Sequence, residues 1–552
     1  LYKGPIPAGF GQTTSAVLDV GMKPGDMEEW HASGTIGILA AKASVSGPVV
    51  RDRLSVAVTA RRSYVDMFLK IVPKYRDIVM HFYDLTGKVR YIPRKGDIID
   101  VSAYASRDNM AIDDLMSMKW GNAGGSVQWL ARRGDAWTFA TSGSFTSYTA
   151  TMGMTMMDTD QAMDECVRSG SLEAKITCVP TDGHTLEWGL RSELQNLLSA
   201  EWHVGPMSER ELGSGIDNAL WVSYSGAPAS WLSIDGGARV SAYSTLGGRG
   251  LRKFSSLGTP GPDESHRVYW CAEPRLSLKF SPARDHSLRL GAGVSSQTLQ
   301  SLRSSSTSMP FDRYVIASAS VRPMSTIQYG AGYTGMTPDG AWEWSAEAYF
   351  KQMHHVCDYL DGRSMMSDIC IENIIKAGRG RSLGAEFMLR KNSGRLNGWM
   401  SYTVSRTQTR IAGINGGRWY AASNDRRHRA TVVAIYELSE RWNLSATWTY
   451  SSGTPLTVPD VKYQLDGATC YYYSARNSYR TPASHHLDVA ATYTHKGPRL
   501  TYQWALGVYN LYNHYNPFII YFEDDPTKPS GTRAVQRSLY GIVPSVSYTL
   551  KF

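Results

Sequence analysis

The chain has 552 residues, and 58 lysines and arginines against 49 aspartates and glutamates give a formal net charge of +9. Aromatic residues make up 11% and charged residues 19%, which excludes a disordered chain, because disorder needs few aromatic residues and high charge. No run of about 20 apolar residues occurs, so a membrane protein built from helices is also excluded. The mean hydropathy of −0.30 does not exclude a β-barrel, whose strands alternate apolar and polar residues.

Apolar and polar residues alternate with a period of two in segment after segment, which is typical of strands with one apolar face and one polar face. The clearest segments are 54–61, 442–450, 502–509 and 546–552. In the second segment, Trp442, Leu444 and Trp448 fall on one face, whereas Asn443 and Thr447 fall on the other. The pattern therefore predicts an all-β fold.

The connections between these segments are of two kinds that take turns along the chain. The short polar kind lies near Arg51, Lys95, Arg133, Asp182, Arg284, Gly394, Glu440 and Gly497. The long irregular kind lies at about 64–80, 109–119, 151–168, 200–217, 247–266, 303–323, 357–378, 411–427, 460–480 and 523–537. Short turns on one rim and long loops on the other are typical of an outer-membrane barrel, with the short turns in the periplasm and the long loops outside the cell.

The number of strands between these connections, with a tight first hairpin near 34–37, is about 22, an even number in the range of such barrels. We therefore expect a transmembrane antiparallel β-barrel of about 22 strands. A soluble propeller also has many short strands. However, the aromatic residues crowd near strand ends, as in the girdles of membrane barrels, and no repeat of about 40 to 50 residues is visible.

Motifs along the whole chain carry a family resemblance. The opening reads YKGPIPAGFGQTTSAVLDVGMKPG, and later stretches read SGPVVRDRLSVAVTARRSYVD, HFYDLTGKVRYI, EAYFKQMHHVCDYL, GRSLGAEFMLRKNSGRLNGWMSYTVSRTQTR, NDRRHRATVV, SSGTPLTVP and VYNLYNHYNPF. Together they resemble TonB-dependent outer-membrane transporters, particularly the Bacteroidetes type with a carboxypeptidase-like N-terminal extension. The final YTLKF, ending in Phe552, resembles the terminal aromatic signal that presents such barrels to their assembly machinery.

The opening segment resembles the end of the family's plug domain, although it departs from the family pattern at Gln12 and Thr13. The resemblance implies that residues 1–24 are the end of a plug and that residues 25–552 form the barrel. No TonB box is visible, so contact with the TonB complex is expected through a region not in this chain. Outer-membrane lipid and lipopolysaccharide are expected partners, and a surface lipoprotein or other envelope proteins are further candidates.

Two adjacent arginines, Arg61 and Arg62, lie where a predicted strand rises into a long loop. Arginine forks match phosphate geometry, so these side chains are candidates for binding an anionic ligand or a lipopolysaccharide phosphate. The competing interpretation is an ion pair in the barrel interior or a side chain that extends along the rim.

Aromatic residues in two predicted outer loops are a second group of candidate ligand contacts. They are Trp419, Tyr420, Tyr471, Tyr472 and Tyr473. Aromatic side chains give large contact areas at low entropy cost. They also form the belt at the membrane interface, which is the alternative explanation.

The six cysteines show no C-x-x-C pair and no zinc spacing. Cys357 and Cys370 fall in one predicted outer loop, where a disulfide is a candidate because the cell surface is oxidising. Neighbouring histidines such as His354 and His355 do not predict a metal site, since adjacent residues on a strand point to opposite faces.

The sequence shows no catalytic set, no phosphate-binding loop, no metal cluster and no basic stripe for nucleic acid, so neither an enzyme nor a bound cofactor is expected. The resemblance implies import of a scarce ligand: an iron chelate, haem, a corrinoid, an oligosaccharide or a peptide. The alternative is a transporter-like barrel that serves as a structural or assembly subunit of an outer-membrane complex.

Overall fold

The computed structural model describes residues 1–70, 78–112, 116–156, 159–204, 207–246, 266–303, 312–363, 365, 367–465, 468–525, 527 and 531–552. Strands dominate this part of the chain. Within the described ranges, helical structure is limited to α1 (Val65–Leu69) and the short 3-10 helices Ile371–Asn373 and Asn415–Gly417. Among the described residues, no helix has the length and apolar content needed to cross a membrane.

The strands follow one another along the whole chain. In order they are β1 His31–Gly37, β2 Ala40–Val50, β3 Leu54–Ser63, β4 Ile78–Tyr91, β5 Asp97–Ile112, β6 Met116–Arg133, β7 Trp137–Met156, β8 Thr159–Thr181, β9 His184–Val204, β10 Met207–Ala229, β11 Leu232–Thr245, β12 Val268–Ala283, β13 His286–Gln297, β14 Leu299–Ser301, β15 Tyr314–Ile316, β16 Met324–Met336, β17 Trp342–Tyr359, β18 Ile375–Lys391, β19 Leu396–Arg410, β20 Tyr420–Ala421, β21 His428–Glu437, β22 Trp442–Ser451, β23 Pro455–Leu456, β24 Val461–Leu465, β25 Ala468–Tyr472, β26 Tyr479–Arg480, β27 Ser484–Lys496, β28 Thr501–Tyr509, β29 Ile519–Asp524, β30 Thr532–Arg537 and β31 Val543–Lys551.

The long strands form one closed antiparallel barrel. Each pairs with the next long strand in the chain, and β31 pairs with β1, with Leu550 opposite Gly34, so that the sheet has no free edge. Without the two-residue β20, which extends the edge of β19, the barrel has 22 strands. The predicted all-β class, antiparallel barrel and strand number are thereby confirmed. The remaining short strands form hairpins within the long connections.

The two faces of the wall differ as the alternation predicts. Large apolar side chains such as Leu85, Leu172 and Leu220 are exposed on the outside, where a membrane barrel meets lipid. Carboxylates such as Asp100 and Glu273 are buried inside. The barrel interior therefore carries polar side chains.

From β11 to the end of the chain the connections alternate between long and short, as the predicted division into two rims requires. Three of the predicted long loops, 109–119, 151–168 and 200–217, are nevertheless wrong, because strands β5 to β10 continue through most of them. Strands β7 to β10 have 20 to 23 residues, about twice the 9–11 residues that cross a bilayer. The first hairpin turns at Ile38 and Leu39, slightly later than predicted.

Candidate functional site in the barrel interior

The N-terminal residues lie inside the barrel and are held there by a buried arginine of the wall. Nη1 of Arg275, on β12, donates hydrogen bonds to the carbonyl oxygens of Ile6 (2.9 Å), Pro7 (2.6 Å) and Phe10 (2.8 Å). The other side of the guanidinium pairs with Glu273 on the same strand. One wall side chain therefore fixes a tight turn of the luminal segment, by which we mean residues 1–24.

A second buried arginine contacts the same turn. Nη1 of Arg239 donates to the carbonyl oxygen of Gly9 at 3.3 Å, and its Nη2 lies 3.7 Å from a carboxylate oxygen of Asp217. A β-carbon at Gly11 would lie 2.5 Å from the Arg239 guanidinium carbon. A larger residue at position 11 would therefore have to displace the end of the fully buried Arg239 side chain.

The luminal segment is tied to the wall at further points. Gln12 accepts two hydrogen bonds from Thr298, from its backbone nitrogen at 2.9 Å and its hydroxyl at 2.7 Å. Additional wall contacts are the Lys3–Glu386 ion pair at 2.6 Å, Lys351 Nζ to the Ser15 carbonyl at 3.1 Å, and Lys88 Nζ to the Met22 carbonyl at 3.1 Å. Gln12, which departs from the family pattern, thus has a defined structural contact here.

A cavity of about 670 Å³ lies beside the luminal segment and is bounded by both the segment and the wall. Its lining carries acids and bases side by side, including Glu173, Glu187, Lys175 and Arg191. Lys175 and Glu187 form an ion pair at 3.3 Å. The interior beside the segment is therefore a polar space of the size of small-molecule sites.

Two loops cover the barrel on the long-loop rim. The first mouth loop is residues 298–323, described at 298–303 and 312–323, and the second mouth loop is residues 360–374, described except at 364 and 366. Arg313 of the first loop is fully buried and donates to the carbonyl oxygen of Asp368 in the second loop at 2.7 Å. Its Nη2 also lies 3.1 Å from Glu211 of β10. One arginine therefore joins both loops to the wall.

Apolar packing supports this cover. A buried cluster joins the extended inner walls of β7 to β9 and β17 to the two loops: Met152, Met163, Ala200, Leu302, Val315, Val321, Cys357, Tyr359, Met365, Ile371, Ile374 and Ile375. Removal of such side chains from water is the main favourable term in packing. The structure therefore shows the described parts of the two mouth loops packed against the wall, and we call this arrangement the closed mouth.

A buried carboxyl group lies under the first mouth loop. Glu165 is on the extension of β8, 17 residues from the turn at Asp182 and therefore beyond the part that crosses the membrane. Its Oε1 accepts the backbone N–H of Tyr314 at 2.8 Å, whereas its Oε2 has no hydrogen-bond partner among the described residues. Burial raises the pKa of Glu165 to about 8, and burial likewise raises the pKa of Glu211.

The candidate arginines Arg61 and Arg62 lie on opposite faces of β3. Arg61 pairs with Asp84 of β4 at 2.6 Å and lies over the ring of Phe82, 4.9 Å from its centroid. Arg62 lies on the same face as the exposed Val58, on the outside of the barrel. A joint role in binding one ligand in the lumen is excluded by this geometry, and the separate roles stay predictions.

The candidate aromatic residues are also separated. Tyr420 is only 3% exposed, and its hydroxyl donates to Asp358 at 2.8 Å. Burial raises the pKa of the Tyr420 hydroxyl. Trp419 stacks against Arg381, whose guanidinium lies 4.3 Å from the ring centroid. Tyr420 is thus part of the packing of its loop rather than an open surface.

The three tyrosines of the second group lie on the hairpin of β24 and β25 and directly after it. Tyr471 is opposite Lys462, whereas Tyr472 and Tyr473 are 56% and 47% exposed. These two side chains are therefore free to meet a ligand from outside, and that role stays a prediction.

The structure describes all six cysteines and none of them is in a disulfide, so the predicted Cys357–Cys370 disulfide is not formed in this structure. The prediction placed both residues in one loop, and this is wrong, because Cys357 lies on β17 and only Cys370 lies in the second mouth loop. Both are buried, and burial raises the pKa of the Cys357 thiol to about 12. A thiol that stays protonated reacts slowly with oxidants.

The chain end closes the barrel. The backbone nitrogen of Phe552 donates to the Ala32 carbonyl at 2.9 Å, and its side chain is exposed. Its role as an assembly signal stays a prediction. Within the described ranges, no group of three or more His, Cys, Asp and Glu side chains has a geometry that could hold a metal ion.

Sequence reasoning did not identify the buried charges that hold the interior together. They are Glu165, Glu211, Asp217, Arg239, Glu273, Arg275 and Arg313. A signal was present in β12, where Glu273 and Arg275 are two residues apart and so share the inward face. The contacts of Arg275 with Phe10 and of Arg313 with Glu211 join residues 265 and 102 positions apart, which is why spacing alone did not reveal them.

Known proteins share this architecture. The family model described as TonB dependent receptor-like, beta-barrel matches residues 122–511. No curated protein matches this sequence. The solved structure of the ferric-catecholate import receptor Fiu from K12 E. coli aligns with a TM-score of 0.70 at 12% identity, over 100% of this chain and 85% of that chain.

Two further solved structures are similar in fold. The copper transporter OprC aligns with a TM-score of 0.71 at 11% identity, over 100% of this chain and 84% of that chain. The alcaligin outer membrane receptor FauA from Bordetella pertussis aligns with a TM-score of 0.64 at 13% identity, over 100% of this chain and 80% of that chain. With most of its length matched by the family model, this chain belongs to the TonB-dependent receptor β-barrel family and is an outer-membrane protein.

Proposed function

We propose that this protein binds a scarce ligand at its extracellular mouth and imports it through the barrel with energy delivered by TonB. The observation that carries the proposal is the luminal segment, whose turn is held by Arg275 through three neutral carbonyl oxygens. Such hydrogen bonds fix the segment while it is at rest, and a pull from the periplasm can break them without separating an ion pair at that point.

The luminal segment is, in this proposal, the end of the plug domain, and residues 25–552 are the barrel. A barrel of 22 strands is wide enough to leak if its interior is empty. The contact with TonB is assigned to a part of the plug outside residues 1–24. The extended outer ends of the strands and the two mouth loops would form the ligand-binding surface, with Tyr472 and Tyr473 as exposed contacts.

The ligand class is taken from the names of similar structures. Ferric catecholate, copper and alcaligin are named for Fiu, OprC and FauA respectively. Metal complexes are therefore the first class to test, before haem, corrinoids, oligosaccharides and peptides. The Bacteroidetes-type extension remains a prediction from the sequence motifs.

The test is growth and uptake in a deletion strain. Cells that lack this protein, complemented with the wild-type gene or with the empty vector, are grown with each candidate ligand as the limiting nutrient. We expect loss of growth on one ligand class, and we expect the same loss in cells that lack TonB.

The alternative, a structural or assembly subunit, predicts a different result. Cells without the protein would then grow equally on every ligand but would become sensitive to detergents and large antibiotics. That outcome would contradict import.

A further inference from the structure

Five methionines form one row across the tall side of the barrel. The strand register places each directly opposite the next: Met80 of β4, Met110 of β5, Met118 of β6, Met152 of β7 and Met163 of β8. We call these five residues the methionine row. Directly opposite side chains on neighbouring strands begin about 5 Å apart. Neighbouring sulfur atoms of the row can therefore reach the same small ligand.

The methionine row faces the barrel interior. Met152 and Met163 are only 8% and 3% exposed and pack in the buried cluster with the two mouth loops. The exposed Phe145 and Leu172 lie on the other face of the same two strands, since successive side chains of a strand alternate between faces. The register from β4 to β8 is unbroken, so the whole row shares the inner face.

The row lies above the membrane. Met152 is the sixteenth residue of β7 counted from Trp137, and Met118 is the sixteenth residue of β6 counted down from Arg133. A strand of about 9–11 residues crosses the hydrocarbon layer. The methionine row therefore belongs to the extracellular mouth, on the side from which an imported ligand arrives.

The side chains of the row determine which kind of ligand it can bind. A thioether sulfur is a weak hydrogen-bond acceptor, and it is among the soft ligands that select Cu(I). The five positions of the row carry no carboxylate, which hard metal ions prefer. On β9 the row ends at Trp202, opposite Met163, and the face of a tryptophan ring attracts cations. The row therefore fits a soft cation.

The loops and the wall contribute different side chains to the same buried cluster. The loops contribute mainly branched apolar residues: Leu302, Val315, Val321, Ile371 and Ile374. Strands β6 to β8 contribute methionines: Met118, Met152, Met154 and Met163. Packing needs only apolar volume, which branched residues supply with better-defined rotamers. The sulfur on the wall side therefore indicates a ligand that is bound through sulfur.

A counter-charge for a bound cation lies next to the row. Glu165 is two residues from Met163 on the same face of β8 and is only 1% exposed. Its Oε2 has no hydrogen-bond partner among the described residues. A buried cation needs an opposite charge nearby, because burial removes its hydration. The ionised form of Glu165 supplies that charge.

We propose that the methionine row binds Cu(I) in the extracellular mouth, with two or three neighbouring thioethers of the row as its ligands. The first mouth loop covers the buried end of the row at Met152 and Met163. The inference rests on the proposed import function, within which it selects a soft metal ion as the ligand.

The experiment measures the affinity of the purified protein for Cu(I) by competition with a chromophoric Cu(I) chelator, under argon. Accessible thiols are first blocked with N-ethylmaleimide in every variant, because thiolates also bind Cu(I). The test variant is Met118→Leu with Met152→Leu, an exchange that conserves volume and that cores tolerate. The matched control is Met353→Leu with Met388→Leu, which removes two methionines of β17 and β18 that have no methionine opposite them.

We expect wild type and the control to bind Cu(I) equally. The test variant should bind it about a hundredfold more weakly, since the loss of even an outer-shell partner of a metal costs about 10–100-fold in affinity. Equal affinity in all three proteins would overturn the proposal, and so would equal weakening in the test and control variants.

X-ray absorption at the copper edge provides a second readout, which a merely structural role of the methionines would not move. We expect a shell of two or three sulfur atoms around copper in the wild type and fewer in the test variant. A shell of nitrogen and oxygen atoms in the wild type would contradict the proposal.

Folding is checked by the heat-dependent migration of the barrel on gels. If the double variant does not fold, the single variants Met152→Leu and Met388→Leu replace the two pairs, and the expected difference between them is about tenfold.

Copper-limited growth of the deletion strain separates this inference from the proposed function. Cu(I) binding that depends on the row, together with normal copper-limited growth of the deletion strain, would support the site and contradict import of copper. Loss of growth on another ligand class, without row-dependent Cu(I) binding, would overturn the inference and leave import supported.

Discussion

Two buried arginines hold two different parts of the barrel interior. Arg275 belongs to the wall, donates to three carbonyl oxygens of the luminal segment, and has its ion partner, Glu273, on its own strand. Arg313 belongs to a loop, donates to carbonyl oxygens of a second loop, and has its ion partner, Glu211, on the wall. Both arginines donate to backbone carbonyl oxygens of another element. The carboxylate partner of Arg275 lies on the same strand as the arginine, whereas the carboxylate partner of Arg313 lies on a different element.

This difference determines which interactions are broken when each element moves. If the luminal segment moves away, Arg275 and Glu273 stay together, and the losses are hydrogen bonds to neutral groups and the partly exposed Lys3–Glu386 ion pair. If the first mouth loop moves away, Arg313 leaves Glu211, and water must then solvate both charges. We infer that the luminal segment can be released at a lower free-energy cost than the mouth loops. The mouth loops stay closed until their buried charges are rehydrated or neutralised.

The largest expected effect comes from Arg313→Met, which leaves the Glu211 carboxylate buried without its partner. Breaking a buried pair in this way costs about 3–5 kcal/mol, so the mouth loops should open far more often. Hydrogen exchange of the peptides 312–323 and 367–375 measures this opening. The double variant Arg313→Met with Glu211→Gln should recover part of the protection. Unchanged exchange in the single variant would show that apolar packing alone closes the mouth.

The second prediction concerns pH and Glu165. The ordinary pKa of this group is 4.5, and burial raises it to about 8 in the closed mouth. Between these values the open state has lost the proton that the closed state keeps, so the closed mouth loses stability as pH rises from about 4.5 to about 8. Below this window, both states are protonated.

From pH 5 to pH 8 the expected loss is roughly 3–4 kcal/mol, at about 1.4 kcal/mol per pH unit. Hydrogen exchange at the Tyr314 amide over this range measures it after correction for the intrinsic rate. The Glu165→Gln variant cannot titrate and should show a flat profile. A slope of the same size in this variant would assign the pH response to another group.

The third prediction tests the wall side of the comparison with Arg275→Lys. Lysine keeps the charge beside Glu273 but lacks the planar fork that reaches three carbonyl oxygens. We expect hydrogen exchange in the luminal turn at residues 5–11 to become about thirtyfold faster, which corresponds to a loss of about 2 kcal/mol of protection. Arg191→Lys, a wall arginine in ion pairs with Glu173 and Glu193, is the matched control and should leave this turn unchanged.

The smallest expected effect comes from removing a tyrosine hydroxyl, and it distinguishes the buried Tyr420 from the exposed Tyr472. Tyr420→Phe removes the hydroxyl that donates to Asp358 and should cost about 1 kcal/mol, since Arg476 still pairs with that carboxylate at 2.8 Å. Tyr472→Phe should leave the thermal midpoint unchanged, because its side chain is exposed. If Tyr472→Phe reduces ligand uptake and Tyr420→Phe does not, the exposed tyrosine carries the ligand contact.

The barrel could be predicted from the sequence because its signal is local. Alternation with period two, polar turns such as the one at Arg51, and long connections on the other rim all lie within a few residues of one another. The length of the loop at 151–168 was overestimated because this segment is polar and rich in methionine and lacks the clear alternation that predicts a strand. There, the pairing of β7 with β8 supplies the order that composition does not show.

The interior could not be predicted in the same way. Arg275 contacts residues about 265 positions away, and Arg313 contacts Glu211 about 100 positions away, so no spacing rule relates them. Among the ligand candidates, Tyr420 was selected for its aromatic ring, but its position next to Ile411 and Ile414 places it in a small core. Only three-dimensional pairing distinguishes such a residue from Tyr472.

The unequal strand lengths give the molecule a high side and a low side. β8 has 23 residues and β2 has 11, which at about 3.3 Å per residue is a difference of about 40 Å along the strand. A large particle that arrives from outside the cell, such as a phage or an antibody, will therefore touch the tall walls of β7 to β10 first. A neighbour that diffuses within the membrane meets instead the low rim at Ile38 and Leu39, where the wall ends near the lipid surface.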